Sequence, residues 1–327
     1  MKKVKGKPEK FIYVLLIHFN NETEEVFKLM KIGIPRSLLY HHYHDIWDLF
    51  FTKLGCELIY SPKTTKSILE QGKKHIVDES CLSMKIHMGH VDYLSQKCDY
   101  ILVPYIDRYS KTDSLCANFY GIYDLAKTIF PDRIIHYHID LKRNNERKAY
   151  IAMARELGFS KTEAGLAYDE AKANATDLHE KAVIENKKLL KNSKKIKIII
   201  VGHLYNVYDD FVGNPIISYL NKNDVDVIFA HLNDAKEEYK KISETLYWKY
   251  NKELLNGVVA YEKDVDGIIL LTTFPCGPDS LVNELCLQKV TKPAIQLIID
   301  ELNSGTGLET RLESFVDILE QRKGDAS

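Results

Sequence analysis

The feature that most restricts how this chain can fold is an alternation of short apolar runs with amphipathic stretches, which breaks off midway and then starts again. In the first half, Lys31–Pro35, Cys56–Tyr60 and Tyr100–Pro104 read as strands, with one more over Ile134–Ile139. Between them, Leu38–Leu54, Thr65–Val77 and Leu82–Ser95 carry apolar residues at helical spacing. Tyr105 to Ser114 reads as irregular. From 141 to 192 the chain is rich in Lys, Glu and Ala and reads as a helical connector. Strands at Lys197–Val201, Val225–Ala230, Val265–Leu271 and Pro293–Asp300 then alternate with helices at Pro215–Asn221, Leu246–Leu255, Asp279–Gln288 and Thr310–Arg322. Such alternation predicts an α/β fold with parallel, doubly wound sheets, one in residues 30–140 and one in residues 193–327.

Residues 1–29 are read as an N-terminal extension. Phe11–Phe19 imitates a signal peptide, but it is short, lacks a small-residue cleavage site and is followed by Asn20-Asn21-Glu22. Met30 opens the first strand and is taken as the functional start. The 45 basic and 46 acidic residues balance, so nothing points to a nucleic-acid or membrane partner. With no secretion signal, the expected compartment is the reducing cytoplasm, where cysteines serve as metal ligands or core residues rather than disulfides.

The chain has six cysteines. Cys56, Cys98 and Cys286 sit in strand, turn and helix settings that suit small buried hydrophobes. Cys81, Cys116 and Cys276 differ. Each lies at a loop or helix start among polar, Gly or Pro neighbours, and Cys276 falls in Phe274-Pro275-Cys276-Gly277-Pro278-Asp279-Ser280 directly after the apolar run Gly267–Leu271. Sites in open α/β sheets form beyond the carboxyl ends of strands, and helix N-termini there lower a thiol's pKa and favour the metal-ligating thiolate. These three are therefore the candidate ligands of a metal centre.

Other chemistries remain open at this point. Cys81 with His87 and His90, which are i, i+3 on one helix, is a candidate zinc set. Cys276 with His203 as base is a candidate thiol hydrolase. The run His41-His42-Tyr43-His44 lies on the first helix, where consecutive positions cannot all face one ligand, so a surface or inter-domain role is expected. Asp300-Glu301, the glycine loop Asn303–Gly307 and Arg311 form a candidate anion contact or cluster cover. No P-loop, GxGxxG or HExxH motif occurs.

The stretches Ile32–Tyr40, Val77–Leu82, Gly89–Val91, Val201–Asp209, Phe274–Ser280, Asp300–Glu301 and Thr310–Phe315, taken together and in order, resemble the 2-hydroxyacyl-CoA dehydratase superfamily. The likeness is to its branch of acyl-CoA dehydratase activase-related proteins. It implies two Rossmann-like α/β domains facing each other over a [4Fe-4S] or related cluster held by Cys81, Cys116 and Cys276. It also implies a low-potential electron delivered by an ATP-dependent activase. That electron would serve reduction or radical dehydration of a small acyl-CoA-like substrate, or pass through a non-catalytic, cluster-bearing partner or relay. Glu79, His90, His203 and Arg311 are the candidates to surround the cluster. Leu302 stands where this branch often carries a His after the Asp-Glu pair. Oligomeric state is left open.

Overall fold

The computed structural model describes residues 29–140, 145–302 and 305–325. Phe11–Phe19 and all but the last residue of the 1–29 extension lie outside them. The first half runs β1 (Lys31–Ile34), α1 (Tyr40–Lys53), β2 (Glu57–Tyr60), α2 (Lys66–Lys73), α3 (Leu82–Leu94), β3 (Tyr100–Leu102), β4 (Tyr105–Arg108), α4 (Asn118–Ile129), β5 (Ile134–Ile135) and β6 (His138–Asp140). Two helices follow, α5 (Glu146–Glu156) and α6 (Lys161–Asn192). The second half runs β7 (Ile196–Val201), α7 (Leu204–Val207), α8 (Asn214–Lys222), β8 (Val225–Phe229), α9 (Lys249–Tyr261), β9 (Gly267–Thr273), α10 (Gly277–Leu287), β10 (Ala294–Ile299) and α11 (Gly305–Asp325).

The protein is an α/β fold built on two four-stranded parallel sheets, ordered β2-β1-β3-β5 and β10-β9-β7-β8. Numbered within each half, both sheets have the order 2-1-3-4. The second sheet shows why its strands read as continuous apolar runs. Ile198, Ile200, Ile269, Leu271, Leu297 and Ile299 enter the core on one face, while Ile199, Val201, Ile228, Ile268 and Leu270 enter the core on the other. Successive side chains alternate between faces, and both faces are covered.

Two sequence readings need correction. Tyr105–Ser114 is not wholly irregular, and Ile134–Ile139 is not one strand. β4 pairs in parallel with β6 in a small separate ladder, while β5 stays with β3. Pro104, between β3 and β4, has no N–H to give, so the ladder cannot run straight through and the chain changes partner there. The glycine loop is also shorter than read: residues 303–304 lie outside the described residues, and from Gly305 the chain is already helical.

α3 joins the two halves. Its residues are buried almost throughout, Met84, Met88, Val91 and Leu94 in the first core and Leu82 and Ile86 in the second. α2 crosses α3 at glycines on both sides. A Cβ on Gly72 would lie 1.8 Å from the Lys85 carbonyl oxygen, and one on Gly89 would lie 1.9 Å from that of Ile68. Only glycine permits so close a backbone approach. Glu301 then pairs with Lys73 at 3.1 Å and with Lys85 at 3.7 Å, fixing the α2–α3 pair against the end of β10. α6 spans both halves over about 48 Å. It opens with a Ser160–Glu163 capping box, packs Ala164, Ala167, Tyr168 and Ala171 into the first core, and uses Asn186 to bond the backbone of Phe229 and Leu232.

Candidate functional site

Cys81, Cys116 and Cys276 line one cavity between the two halves of the chain, with about 600 Å³ of empty space counting its mouth. Each cysteine arrives by a different route. Cys81 is the N-cap of α3, and the neighbouring Leu82 N–H donates to the Phe274 carbonyl at 2.9 Å, so the first turn of α3 is tied to the turn carrying Cys276. Cys276 is the N-cap of α10, directly beyond β9, in a turn with a cis Phe274–Pro275 bond. Cys116 belongs to a loop of the first half that is held by the second. Ser114 bridges Trp248, with Ser114 N–H donating to Tyr247 O at 2.9 Å and Lys249 N–H to Ser114 O at 3.0 Å. Lys252, itself buried, bonds Asp113 at 2.8 Å and the Thr112 carbonyl at 2.9 Å. Leu38 closes part of the wall with φ at 46°, a left-handed conformation that costs a non-glycine residue about 1–2 kcal/mol.

All three thiols are free and half-buried. Backbone N–H groups from the following turns reach the sulfurs: Met84 to Cys81, Asn118 to Cys116 and Asp279 to Cys276. The sequence-based expectation that helix starts lower these pKa values is nevertheless overturned. Burial raises all three, and it outweighs the N–H contacts. Among the described residues no cation offsets that burial, so the protein carries them as thiols.

Behind the cysteines lies a buried dyad. His203 Nε2 meets Asp279 Oδ1 at 2.9 Å. Asp279 also accepts from Asn251 Nδ2 at 3.0 Å and Thr272 Oγ1 at 3.1 Å. Burial alone would raise the Asp279 carboxyl, but His203, Asn251 and Thr272 together hold it below its usual range. His203 Nδ1 is buried with no partner among the described residues, and Tyr205 stacks on the imidazole at 5.0 Å. Burial first, then the charge of Asp279, push the Tyr205 hydroxyl pKa well up. Ser83, from α3, donates to Asn206 Oδ1 at 2.7 Å and lies 3.0 Å from Thr273 Oγ1, which knits the floor of the cavity across the two halves.

The other sequence-predicted residues fall elsewhere. Glu79 is exposed in the turn before α3 and does not line the cavity. Arg311 is exposed on α11 and donates to the Gln296 carbonyl at 2.6 Å, a contact that ties α11 to β10. Cys98 and Cys286 are core residues, Cys56 is half-buried, and burial raises the Cys286 thiol to about 12 and the Cys56 and Cys98 thiols to about 11. His87 and His90 turn away from Cys81: His87 Nδ1 bonds Ser37 Oγ at 2.9 Å, and His90 Nε2 bonds Thr64 Oγ1 at 3.0 Å. The zinc set of Cys81, His87 and His90 is thus not assembled. Among the described residues no three His, Cys, Asp or Glu side chains lie where they could hold one metal ion. Asp279, Lys249 and Tyr250 were missed in the sequence reading, although Asp279 stands inside the cysteine turn.

His90 belongs instead to a buried contact across the two halves, in which Thr64 Oγ1 donates to Asp209 Oδ2 at 2.5 Å. Burial raises the Asp209 carboxyl from its ordinary 3.8 to about 6. A raised acid favours the folded state while it is protonated, so this stabilisation is full below the ordinary value and is lost as pH rises through about 6. Asp209→Asn cannot ionise and is expected to gain about 2 kcal/mol on the native chain between about pH 4 and pH 8. Urea unfolding at both pH values checks this; parallel curves for the two proteins would rule it out.

Residues 31–232 match the family model described as the CoA enzyme activase uncharacterised domain (DUF2229). The chain belongs to this family. The matched span includes Cys81, Cys116 and His203 and ends before Cys276 and Asp279. The family's description links the chain to CoA enzyme activases. No curated protein matches it. Solved structures to which the chain is similar include ZnuA, at 10% identity and TM-score 0.26 over 89% of this chain and 99% of that one. The SBP FpvC from P. aeruginosa in complex with a Ni2+ ion stands at 12% and 0.28, over 92% and 99%. A Zn(II)-bound AdcAII variant of Streptococcus pneumoniae stands at 14% and 0.27, over 90% and 99%. Among the described residues no helix is long and apolar enough to cross a membrane.

Proposed function

We propose that this chain is an iron–sulfur redox protein of the CoA enzyme activase system, with Cys81, Cys116 and Cys276 as the ligands of a [4Fe-4S]-type cluster. The observation that carries the reading is the cavity itself, which three cysteines from three separate elements line together. They do so without gathering around the position of a single ion. Bound there, such a cluster would supply low-potential one-electron chemistry, fed by an ATP-dependent activase, for reduction or radical dehydration of a small acyl-CoA-like substrate.

The chain's own residues prepare the cavity for that charge. With their pKa values raised by burial, the thiols keep their protons until a bound metal displaces them to solvent. The N–H groups of Met84, Asn118 and Asp279 are already in place to stabilise sulfur charge. Asp279 holds His203 in one orientation beside the cavity, and Lys249 places an ammonium group at its edge. Protein purified without oxygen is expected to be brown and to hold about four irons and about four sulfides per chain. Iron and sulfide assays with EPR of the reduced protein read this out. A colourless, iron-free protein would sink the proposal. Oxidation of the reduced centre by an acyl-CoA would mark a catalyst, and its absence an electron relay.

A further inference from the structure

Asn118 opens α4 and lines the cysteine cavity. Nothing in the sequence singles it out, since an asparagine at a helix start ordinarily serves its own backbone. Here the N-cap is Ala117, which has no side-chain cap to offer. The Asn118 amide turns instead towards α3, which packs against α4, and donates to the Cys81 sulfur. Its main-chain N–H donates at the same time to the sulfur of Cys116. One residue thus bonds two cysteines that belong to different elements.

The donors on the three sulfurs differ in kind. Met84, Asn118 and Asp279 each offer a main-chain N–H from the turn that follows a cysteine, to Cys81, Cys116 and Cys276 in that order. Any sequence that keeps those turns supplies them. The Asn118 amide is a side chain and reaches Cys81 from another element, so it is a donor that this sequence adds. Other polar side chains lining the cavity are committed elsewhere. Ser83 donates to Asn206, Asn251 donates to Asp279, and Lys249 is paired with Glu253.

An N–H aimed at a sulfur stabilises whichever state puts more negative charge on it. A centre held by cysteines gains negative charge on reduction, so each such contact favours the reduced state and raises the potential. Asn118 also ties Cys81 to Cys116, because its two donors are fixed to one Cα. We infer that Asn118 is a positioning residue which sets the reduction potential of the centre held by Cys81, Cys116 and Cys276, through its amide on the Cys81 sulfur. This inference rests on the iron–sulfur reading above. Asn118 is exposed at the cavity rim, while Phe119, Ile122 and Ala126 are the residues that bury α4, so replacing it removes no core packing.

Potentiometric titration followed by EPR, on the full chain purified without oxygen, tests it. Asn118→Leu keeps the approximate size and the main-chain N–H but has no side-chain donor. It is expected to disfavour reduction about tenfold, which is about 59 mV towards more negative potential for one electron. Asn118→Gln keeps the amide and is expected to recover most of that difference. Iron content and urea unfolding are measured on each preparation and are expected to match the native protein. Loss of iron from the leucine variant, with iron kept by the glutamine variant, would also support a hold on Cys81 by the amide. An iron-loaded native protein and leucine variant with the same potential would overturn this inference alone. So would a glutamine variant that behaves as leucine, or loss of iron by both. A native protein without iron would overturn it together with the reading it rests on.

Discussion

Cys276→Ala, purified without oxygen, is expected to lose most of its iron and the EPR signal of the reduced native protein, while keeping the native fold. Its sulfur receives only the weak Asp279 N–H contact, while its backbone carbonyl accepts from Ser280 Oγ at 2.7 Å. Removing the thiol therefore leaves the turn intact and takes away a donor. The thiol is protonated at neutral pH in the folded and unfolded chain alike, so its raised pKa adds no term there, and stability is expected to change by less than about 1 kcal/mol. Iron content, the EPR spectrum and a urea melt on the same preparation separate loss of a ligand from loss of structure. A variant that keeps the full spectrum would show that Cys276 is not a ligand.

Asp279→Leu is expected to act in the opposite way, through the fold. It strips His203, Asn251 and Thr272 of their shared acceptor in a site with almost no solvent. Removing one partner of a buried, hydrogen-bonded charge pair costs about 3–5 kcal/mol. Asp279→Asn keeps the shape and an acceptor oxygen and is expected to lose less than half as much. Guanidinium unfolding of both variants decides the matter. Equal losses for Leu and Asn would overturn this expectation, since they would show that the carboxylate's charge, and not its shape or its acceptor oxygens, carries the whole contribution.

Much of the architecture could be read before the structure, because the second sheet is covered on both faces and its strands therefore appear as unbroken apolar runs such as Gly267–Leu271. The neighbourhood of Cys81, Cys116 and Cys276 could be anticipated for a related reason: α/β topology sends strand ends and helix starts to one edge. What they hold is proposed rather than read. Asp279 escaped notice because an acidic residue in a first helical turn looks like ordinary dipole compensation, and only its burial and its three partners mark it out. Glu79 and Arg311 were chosen for nearness in sequence to the cysteine turn or to the last strand, but a turn of chain carries both to solvent. Lys249, Tyr250 and the Ser114–Trp248 bridge were invisible for a deeper reason. They depend on how two halves dock, and side-chain periodicity within either half carries no trace of that.

The bridge between Ser114 and Trp248 has a consequence for how the centre comes into being. Cys116 is encoded early, but its position is set by residues more than a hundred places later. During synthesis the first half leaves the ribosome before α9, which holds the Cys116 loop, and the Cys276 turn, which ties the start of α3 at Cys81, have been made. Whatever fills the cavity is therefore expected to be installed after translation, into a finished chain. A fragment ending before residue 248 would have a folded sheet but no centre to load.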